Sequence, residues 1–408
     1  MKTVAPEALD FAALIRPGER VFWAEATAEP VLLTRRLEAQ AARCPPFQVF
    51  SVLRLGGEFA PGQAHVTVTG CGRAAEVIPA NISDLGALIG GGALAPDIVL
   101  LQVCGPDAAG DYNTGIGVEF LPEAVAAARL VIAQLNPLLP WVDGDTRVAA
   151  DAIDILVPAP QPPLELAPRP PGPVETAIAG HVARLVPDRA TLELGLGAIP
   201  EAVTRALAGK RGLGIHSGMI GDGVMALIEA GAIDNRHKEA DAGLAVATML
   251  MGSQRLYRWA GRNPQIRLRA ARYTHDAVVM SRFRRFVAIN SALEIDLTGQ
   301  ANAETARGRQ IGLVGGQMDF VRAANRAPEG RSIIALPATG RGGAGSRIVA
   351  RLADGVVTTP RAEADCVVTE HGIAELRGRT LRERARALIA IADPACRAAL
   401  AEAAERLA

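Results

Sequence analysis

Residues 158–173 read PAPQPPLELAPRPPGP and carry eight of the chain's 27 prolines. Proline fixes φ and has no backbone N–H, so this stretch is neither a central strand nor a helix interior. It reads as an extended linker. It breaks the 408-residue chain at about residue 165, giving a first domain over 1–165 and a second over 174–408. Two domains are also what length alone predicts, because a single core seldom serves so long a chain.

Each side of the linker repeats one rhythm. Before it, FQVFSVL, AHVTVTG, DIVLLQV, RLVIAQL and DILVP are apolar runs of strand length, separated by Ala-rich segments such as PEAVAAAR. After it, TLELGLG, GLGIHSG, FVAINSALEIDL, RSIIALPA and ADCVVTE have the same character. Helices are expected to start at Pro200, Gly223 and near Thr380. Strands alternating with helices predict two open α/β domains with mainly parallel sheets. The cores must be aliphatic, since 49% of residues are hydrophobic but only 4% aromatic.

Lys plus Arg and Asp plus Glu both number 43. A neutral chain has no overall field to attract nucleic acid or a membrane surface, so neither is expected as a partner. The cysteines Cys44, Cys71, Cys104, Cys366 and Cys396 form no metal-ligand spacing with the six histidines, so no metal is expected. They read as buried small residues of a cytoplasmic protein. The start, MKTVAPEALDFAALIRPGERV, has early acidic residues and no long apolar core, so it does not read as a signal peptide.

Several glycine-rich stretches are candidates for chemistry. In LELGLGAIPEAV, Gly195 and Gly197 permit close backbone approach and Pro200 suits a first helical turn. Free N–H groups there could hold a phosphate or a carbonyl oxygen; a plain tight turn fits the spacing equally well. In LVGGQMDFVRAA, the paired glycines could aim N–H groups at one oxygen, or simply join a strand to a helix. Period two places Asn290, Glu294 and Asp296 on one strand face, as a site rim or a solvated face. Arg341 and Arg347 in PATGRGGAGSRIVARL could meet a phosphate, or belong to a mobile surface loop. Glu370 and His371 are expected beside Arg377, and Asp143 and Asp145 in a turn.

In order along the chain, DIVLLQVCGPDAAGDYNTG, VIAQLNP, LELGLGAIPEAV, GIHSGMIGDGVMALIEAGAIDN, INSALEIDLTGQANAE, GGQMDFVRAA, SRIVARL and ADCVVTEHGIAELRG resemble the acetyl-CoA hydrolase/transferase family, in its 4-hydroxybutyrate CoA-transferase branch. The resemblance implies two open α/β domains with the active site between them. It implies acyl-CoA as substrate, a small carboxylic acid or water as acceptor, no permanently bound cofactor, and a homodimer. The CoA-contact positions it implies are Gly195, Leu196, Gly197, Ala198, Ile199, Leu293 and Gly316, the last also an oxyanion donor through its N–H.

In that family a glutamate attacks the thioester and becomes a glutamyl-CoA thioester, which splits one hard step into easier ones. The glutamate's position here is Gly218, in His216-Ser217-Gly218-Met219. The position of a second oxyanion donor, an asparagine, is His275. Glycine cannot carry CoA, so the paired differences point to direct hydrolysis or direct acyl transfer, with His275 as donor or general base. The alternatives are an acyl-CoA-binding homologue or subunit without chemistry, and Glu193 or Glu294 as substitute nucleophile. His216 is expected to play a structural or orienting part.

Overall fold

The computed structural model describes residues 1–55, 66–70, 76–343, 345–352 and 355–407, apart from the side chains of Arg341 and Leu407. The chain forms two compact units. Unit 1 gathers Met1–Ala167, Ile220–Asp222 and Val246–Thr274; unit 2 gathers Pro168–Met219, Gly223–Ala245 and His275–Ala408.

Unit 1 is built on eight strands: β1 (Lys2–Thr3), β2 (Arg20–Trp23), β3 (Phe47–Ser51), β4 (Val66–Gly70), β5 (Glu76–Val77), β6 (Ile98–Val103), β7 (Leu130–Leu135) and β8 (Ile155–Pro158). They lie in the order β1-β8-β7-β6-β2-β3-β4-β5. Every neighbouring pair is parallel. All six residues of β6 are buried, as expected of a strand covered on both faces. Helix α1 (Val31–Gln40) sets Leu33 and Leu37 into the core with Val21, Trp23, Val49, Leu100 and Ile132. Helices α2 (Ile82–Ile89) and α3 (Leu121–Ala127) follow, the second within the expected PEAVAAAR segment.

The five expected strands before the linker are present as β3, β4, β6, β7 and β8. Ala64 and His65 of AHVTVTG, like Cys71, lie outside the described residues. The four-residue β2 went unforeseen, although it is central. At Gly144, φ is +139° and a Cβ would overlap the backbone of Leu268. The Asp143 and Asp145 turn thus docks on backbone, and the two carboxylates meet Arg267 at 3.2 Å and Arg269 at 3.1 Å.

After the linker, α4 (Pro173–Leu185) begins with proline at its first position. The sheet of unit 2 uses β9 (Thr191–Leu194), β10 (Gly214–Ile215), β11 (Phe286–Ser291), β14 (Arg331–Ala335), β16 (Cys366–Thr369) and β17 (Gly372–Glu375), in the order β10-β9-β11-β14-β16-β17. Only the β16–β17 pair is antiparallel. A smaller sheet joins β12 (Glu294–Asp296), β13 (Ala301–Asn302) and β15 (Ile348–Val349). Helices expected from Pro200, Gly223 and Thr380 run as α5 (Ala198–Ala206), Asp222–Glu229 and α7 (Leu381–Ala390), with α6 (Gln317–Arg326) between the last two. The hydroxyl of Thr380 caps α7 by accepting from the Glu383 N–H.

Two expectations fail here. Asn290 does not share a face with Glu294 and Asp296, because the chain bends at Ala292–Leu293 and β12 leaves for the smaller sheet. Glu294 accepts from the Asn302 amide at 3.0 Å, while Asp296 holds its own turn through Thr298 and Gln300. Arg377 does not join Glu370 and His371. It pairs with Asp365 at 3.0 Å and donates to Asn325 at 2.7 Å, while Glu370 accepts from the Ala338 N–H at 2.8 Å.

Leu100 is wholly buried at the centre of the unit 1 sheet. Leu100→Ala is expected to cost about 2–5 kcal/mol, read as a lower urea midpoint for the transition of unit 1.

Candidate functional site

The residues singled out in the second half assemble within unit 2. Strand β9 ends at Leu194, and Gly195 continues its ladder by donating to the Ile289 carbonyl at 3.3 Å. At Gly197 φ is +126°, a conformation for glycine, and the backbone turns into α5. No side chain caps this helix start, leaving its first N–H groups to an outside acceptor. Leu196, at the tip of the turn, is 48% exposed, while Ile199 is buried.

Beside this turn lies His216-Ser217-Gly218. The Ser217 hydroxyl donates to the Leu194 carbonyl at 3.1 Å and faces the Leu194 N–H at 3.3 Å, which ties the loop to the glycine turn. The His216 ring is buried against Phe283 and Phe286, with centroids at 4.9 and 6.4 Å.

The geometry around Gly218 centres on the imidazole of His275, which is 4% exposed and packs on Phe320 at 4.6 Å between centroids. A Cβ at Gly218 would lie 3.6 Å from His275 Nε2, an ordinary contact. A Cβ at Gly316 would lie 2.5 Å from the same nitrogen and 3.1 Å from Phe320. The ring thus occupies space that only glycine at 316 leaves open. Gly316 also stands at the N-cap of α6, just after Gly315 at φ +62°. Gly218, His275 and Gly316 are therefore brought together, with the Gly195–Ile199 turn joined to them through Ser217. Leu293 occupies the bend after β11, its N–H donating to the Asn302 carbonyl at 2.8 Å. Arg347 is half-buried, with its N–H on the Ala338 carbonyl.

Two ionisable groups stand out in this unit: Lys238, which no motif flagged, and Glu193, which the sequence offered only as a substitute nucleophile. Glu193 on β9 is 3% exposed and accepts from Asn290 Nδ2 at 2.7 Å. Burial pushes its carboxyl up to about 8. Lys238 is also buried; its Nζ donates to the carbonyls of Ile215 and Leu244, each at 2.7 Å. Desolvation brings its amine down to about 7. The legible signal for Glu193 was a charge inside TLEL, a strand otherwise fit for burial on both faces.

Unit 1 holds a carboxyl pair of its own. Glu25, just past β2, accepts from the N–H groups of Val52 at 2.9 Å and Leu53 at 3.2 Å. Burial, then the neighbouring Glu119, drive its carboxyl well above the ordinary range, and burial raises Glu119 to about 7. Among the described residues no cluster has the His, Cys, Asp and Glu donors for a metal ion. No helix among them is long and apolar enough to cross a membrane.

Parallel sheets whose strand ends run into uncapped, glycine-rich helix starts define an α/β protein suited to an anionic or carbonyl-bearing ligand. Residues 68–167 match the family model for the acetyl-CoA hydrolase/transferase N-terminal domain, and residues 252–404 that for its C-terminal domain. The 4-hydroxybutyrate coenzyme A transferase of Clostridium kluyveri is 40% identical over 401 residues, covering 95% of this chain and 94% of that protein. The crystal structure of RipA from Yersinia pestis superposes with a TM-score of 0.93 at 30% identity, over 100% of this chain and 97% of the other. The 4-hydroxybutyrate CoA-transferase of Porphyromonas gingivalis gives 0.86 at 34% identity, over 100% and 98%. The chain belongs to the acetyl-CoA hydrolase/transferase family, and its chemistry is that of CoA thioesters.

Gly316→Ala is expected to displace His275 and to cost about 1–3 kcal/mol. Gly218→Ala should change stability by no more than about 1 kcal/mol; thermal unfolding of both variants checks the contrast. The raised carboxyl of Glu193 has a definite sign. Between pH 4.5 and about 8 the folded chain holds a proton that the unfolded chain has released. Stability therefore falls across that window by about 1.4 kcal/mol for each pH unit and levels off above it. Glu193→Gln removes this slope, so its midpoint should exceed the wild type's at pH 8 and converge with it toward pH 4.5.

Proposed function

We propose that the chain turns over acyl-CoA by direct attack on the thioester, without a glutamyl-CoA intermediate. The observation that carries this reading is the contact geometry at Gly218. In the family's mechanism that position belongs to the nucleophile; here it has no side chain, and His275 Nε2 lies 3.6 Å from where a Cβ would be.

In the proposed step, water or an acceptor hydroxyl sits beside Gly218. His275 Nε2 takes its proton as the oxygen attacks the thioester carbon. The oxyanion is met by the N–H of Gly316 at the start of α6. The C–S bond then breaks, and the imidazolium returns the proton to the departing CoA thiolate. With water the products are a carboxylic acid and CoA; with an alcohol, an ester and CoA. The glycine turn at Gly195–Ile199 and Leu293 are the proposed CoA contacts, and a homodimer the proposed assembly. The second reading, an acyl-CoA-binding homologue without turnover, draws on the same glycine at 218.

Thiol release from a panel of acyl-CoAs, with and without carboxylate acceptors, separates these. Release without a carboxylate acceptor is expected, and a roughly 100-fold or greater fall in kcat for His275→Ala. Unchanged turnover in that variant would sink the assignment of His275, and binding with no release would favour the second reading. Gly218→Glu has room for its Cβ and should gain carboxylate-dependent CoA exchange, with an enzyme-bound CoA thioester trapped by borohydride.

A further inference from the structure

The side chains of β9 and β11 alternate, so Glu193 and Asn290 share the face that carries Phe286 and Ala288. Phe320, Ala323 and Ala324 of α6 cover that face. Glu193 is sealed beneath this cover, while Asn290 is half-buried. Their 2.7 Å hydrogen bond fixes which end of the amide points inward: Nδ2 meets Glu193. Oδ1 is therefore turned the other way, and it lies 3.9 Å from where a Cβ on Gly195 would be. Among the described residues nothing donates to it. An acceptor held at a glycine turn, with no donor of its own chain, calls for a donor on a ligand.

A CoA thioester offers few such donors. Its phosphates and its thioester only accept; the adenine amino group and the ribose hydroxyl donate at the nucleotide end, and along the pantetheine arm the donors are one hydroxyl and two amide N–H groups, of which the amides lie toward the thioester. We infer that Asn290 Oδ1 accepts a hydrogen bond from a pantetheine amide of acyl-CoA as the arm crosses Gly195, and that Glu193 is the positioning residue that holds the amide in that sense. This inference rests on the reading of unit 2 as the CoA-thioester site. Glu193 touches no substrate in this arrangement; it acts through Asn290.

The carboxyl also gives the contact a pH response. The ionisable groups on the elements packed about β9 are His216, just past β10 with its N–H on the Leu192 carbonyl, Lys238 against the Ile215 carbonyl, and His275 against Phe320. Below about 8 Glu193 is neutral. Above that it places a buried negative charge behind an anionic ligand, so CoA binding should weaken. Glutamine keeps an oxygen for Asn290 Nδ2 and cannot ionise.

The test is calorimetric binding of CoA, and of phosphoadenosine diphosphate, which lacks the pantetheine arm. Asn290→Ala and Glu193→Leu should weaken CoA binding by roughly fivefold to tenfold and leave phosphoadenosine diphosphate unchanged. Glu193→Gln should bind CoA within about twofold of wild type at pH 7, and lose the wild type's weakening between pH 7 and 9. The same loss should appear in KM for acyl-CoA, with kcat unmoved. If Asn290→Ala binds CoA as the wild type does, the inference fails while the site's reading stands. Equal weakening for both ligands, or a CoA adduct on Glu193, also overturns it. A wild-type protein that binds no CoA overturns the site's reading and the inference together. Should Glu193→Leu not fold, the pH dependence of Glu193→Gln decides.

Discussion

An imidazole can lie edge-on against two stretches of backbone only where neither carries a Cβ in its way. His275 does so against Gly316, where a methyl group would stand 2.5 Å from its Nε2. The ring is fixed from the other side by Phe320, which belongs to the same helix that Gly316 begins. Position and support thus come from one turn. The hydroxyl of Ser217 extends the arrangement to the end of β9. From there the glycine turn and α5 inherit their placement from the parallel sheet. Interiors pack near crystal density, so such a ring moves only if its neighbours move.

Much of this was legible in the sequence, because parallel strands buried on both faces must be short apolar runs. DIVLLQV and RLVIAQL announced themselves that way, and each became a strand of six buried or nearly buried residues. RVFW did not, since four residues after PGE carry too little pattern to separate a strand from a loop. The run INSALEIDL misled for a physical reason. Alternation predicts a shared face only while the chain stays straight, and no residue of the run marks the bend at Ala292–Leu293. Arg377 was read beside its sequence neighbours, but the antiparallel return of β17 carries it to Asp365. The return of Val246–Thr274 to unit 1 is a long-range matter that no local window contains. Gly218, His275 and Gly316 met because three separate motifs end at one place. Glu193 and Asn290 were each visible, but nothing local shows that one hydrogen-bonds the other.

Burying a charge without a partner is costly, and a buried group avoids the cost by shedding the charge. Unit 2 shows both signs of this response. Glu193 holds its proton to about 8 and Lys238 releases its own near 7. Each keeps directed hydrogen bonds, one with an amide and the other with two carbonyls. Glu193, on the face beneath α6, is therefore polar in its bonding and uncharged near pH 7. In the proposed site this suits a polyanionic ligand, since fixed negative charge would oppose it. Glu25 and Glu119 in unit 1 obey the same rule, both raised by burial.

The same reasoning bears on a glycine where a nucleophile is expected. A covalent route depends on one side chain, and one substitution removes it. In the proposed mechanism the other requirements of thioester chemistry fall to backbone: the turn at Gly195–Ile199, the helix start after Gly316, and the N–H groups they present. Backbone donors survive side-chain replacement as long as the fold survives. Loss of the glutamate therefore changes the number of steps before it changes the site's capacity to bind and polarise a thioester. What must be supplied anew is a base at the thioester carbon. In the proposed step that base is His275, whose Nε2 lies 3.6 Å from where a Cβ at Gly218 would be. Its ring could not be there if position 316 had gained a side chain. In the proposed step the glycine at 218 makes room for the attacking oxygen, and the glycine at 316 makes room for the base.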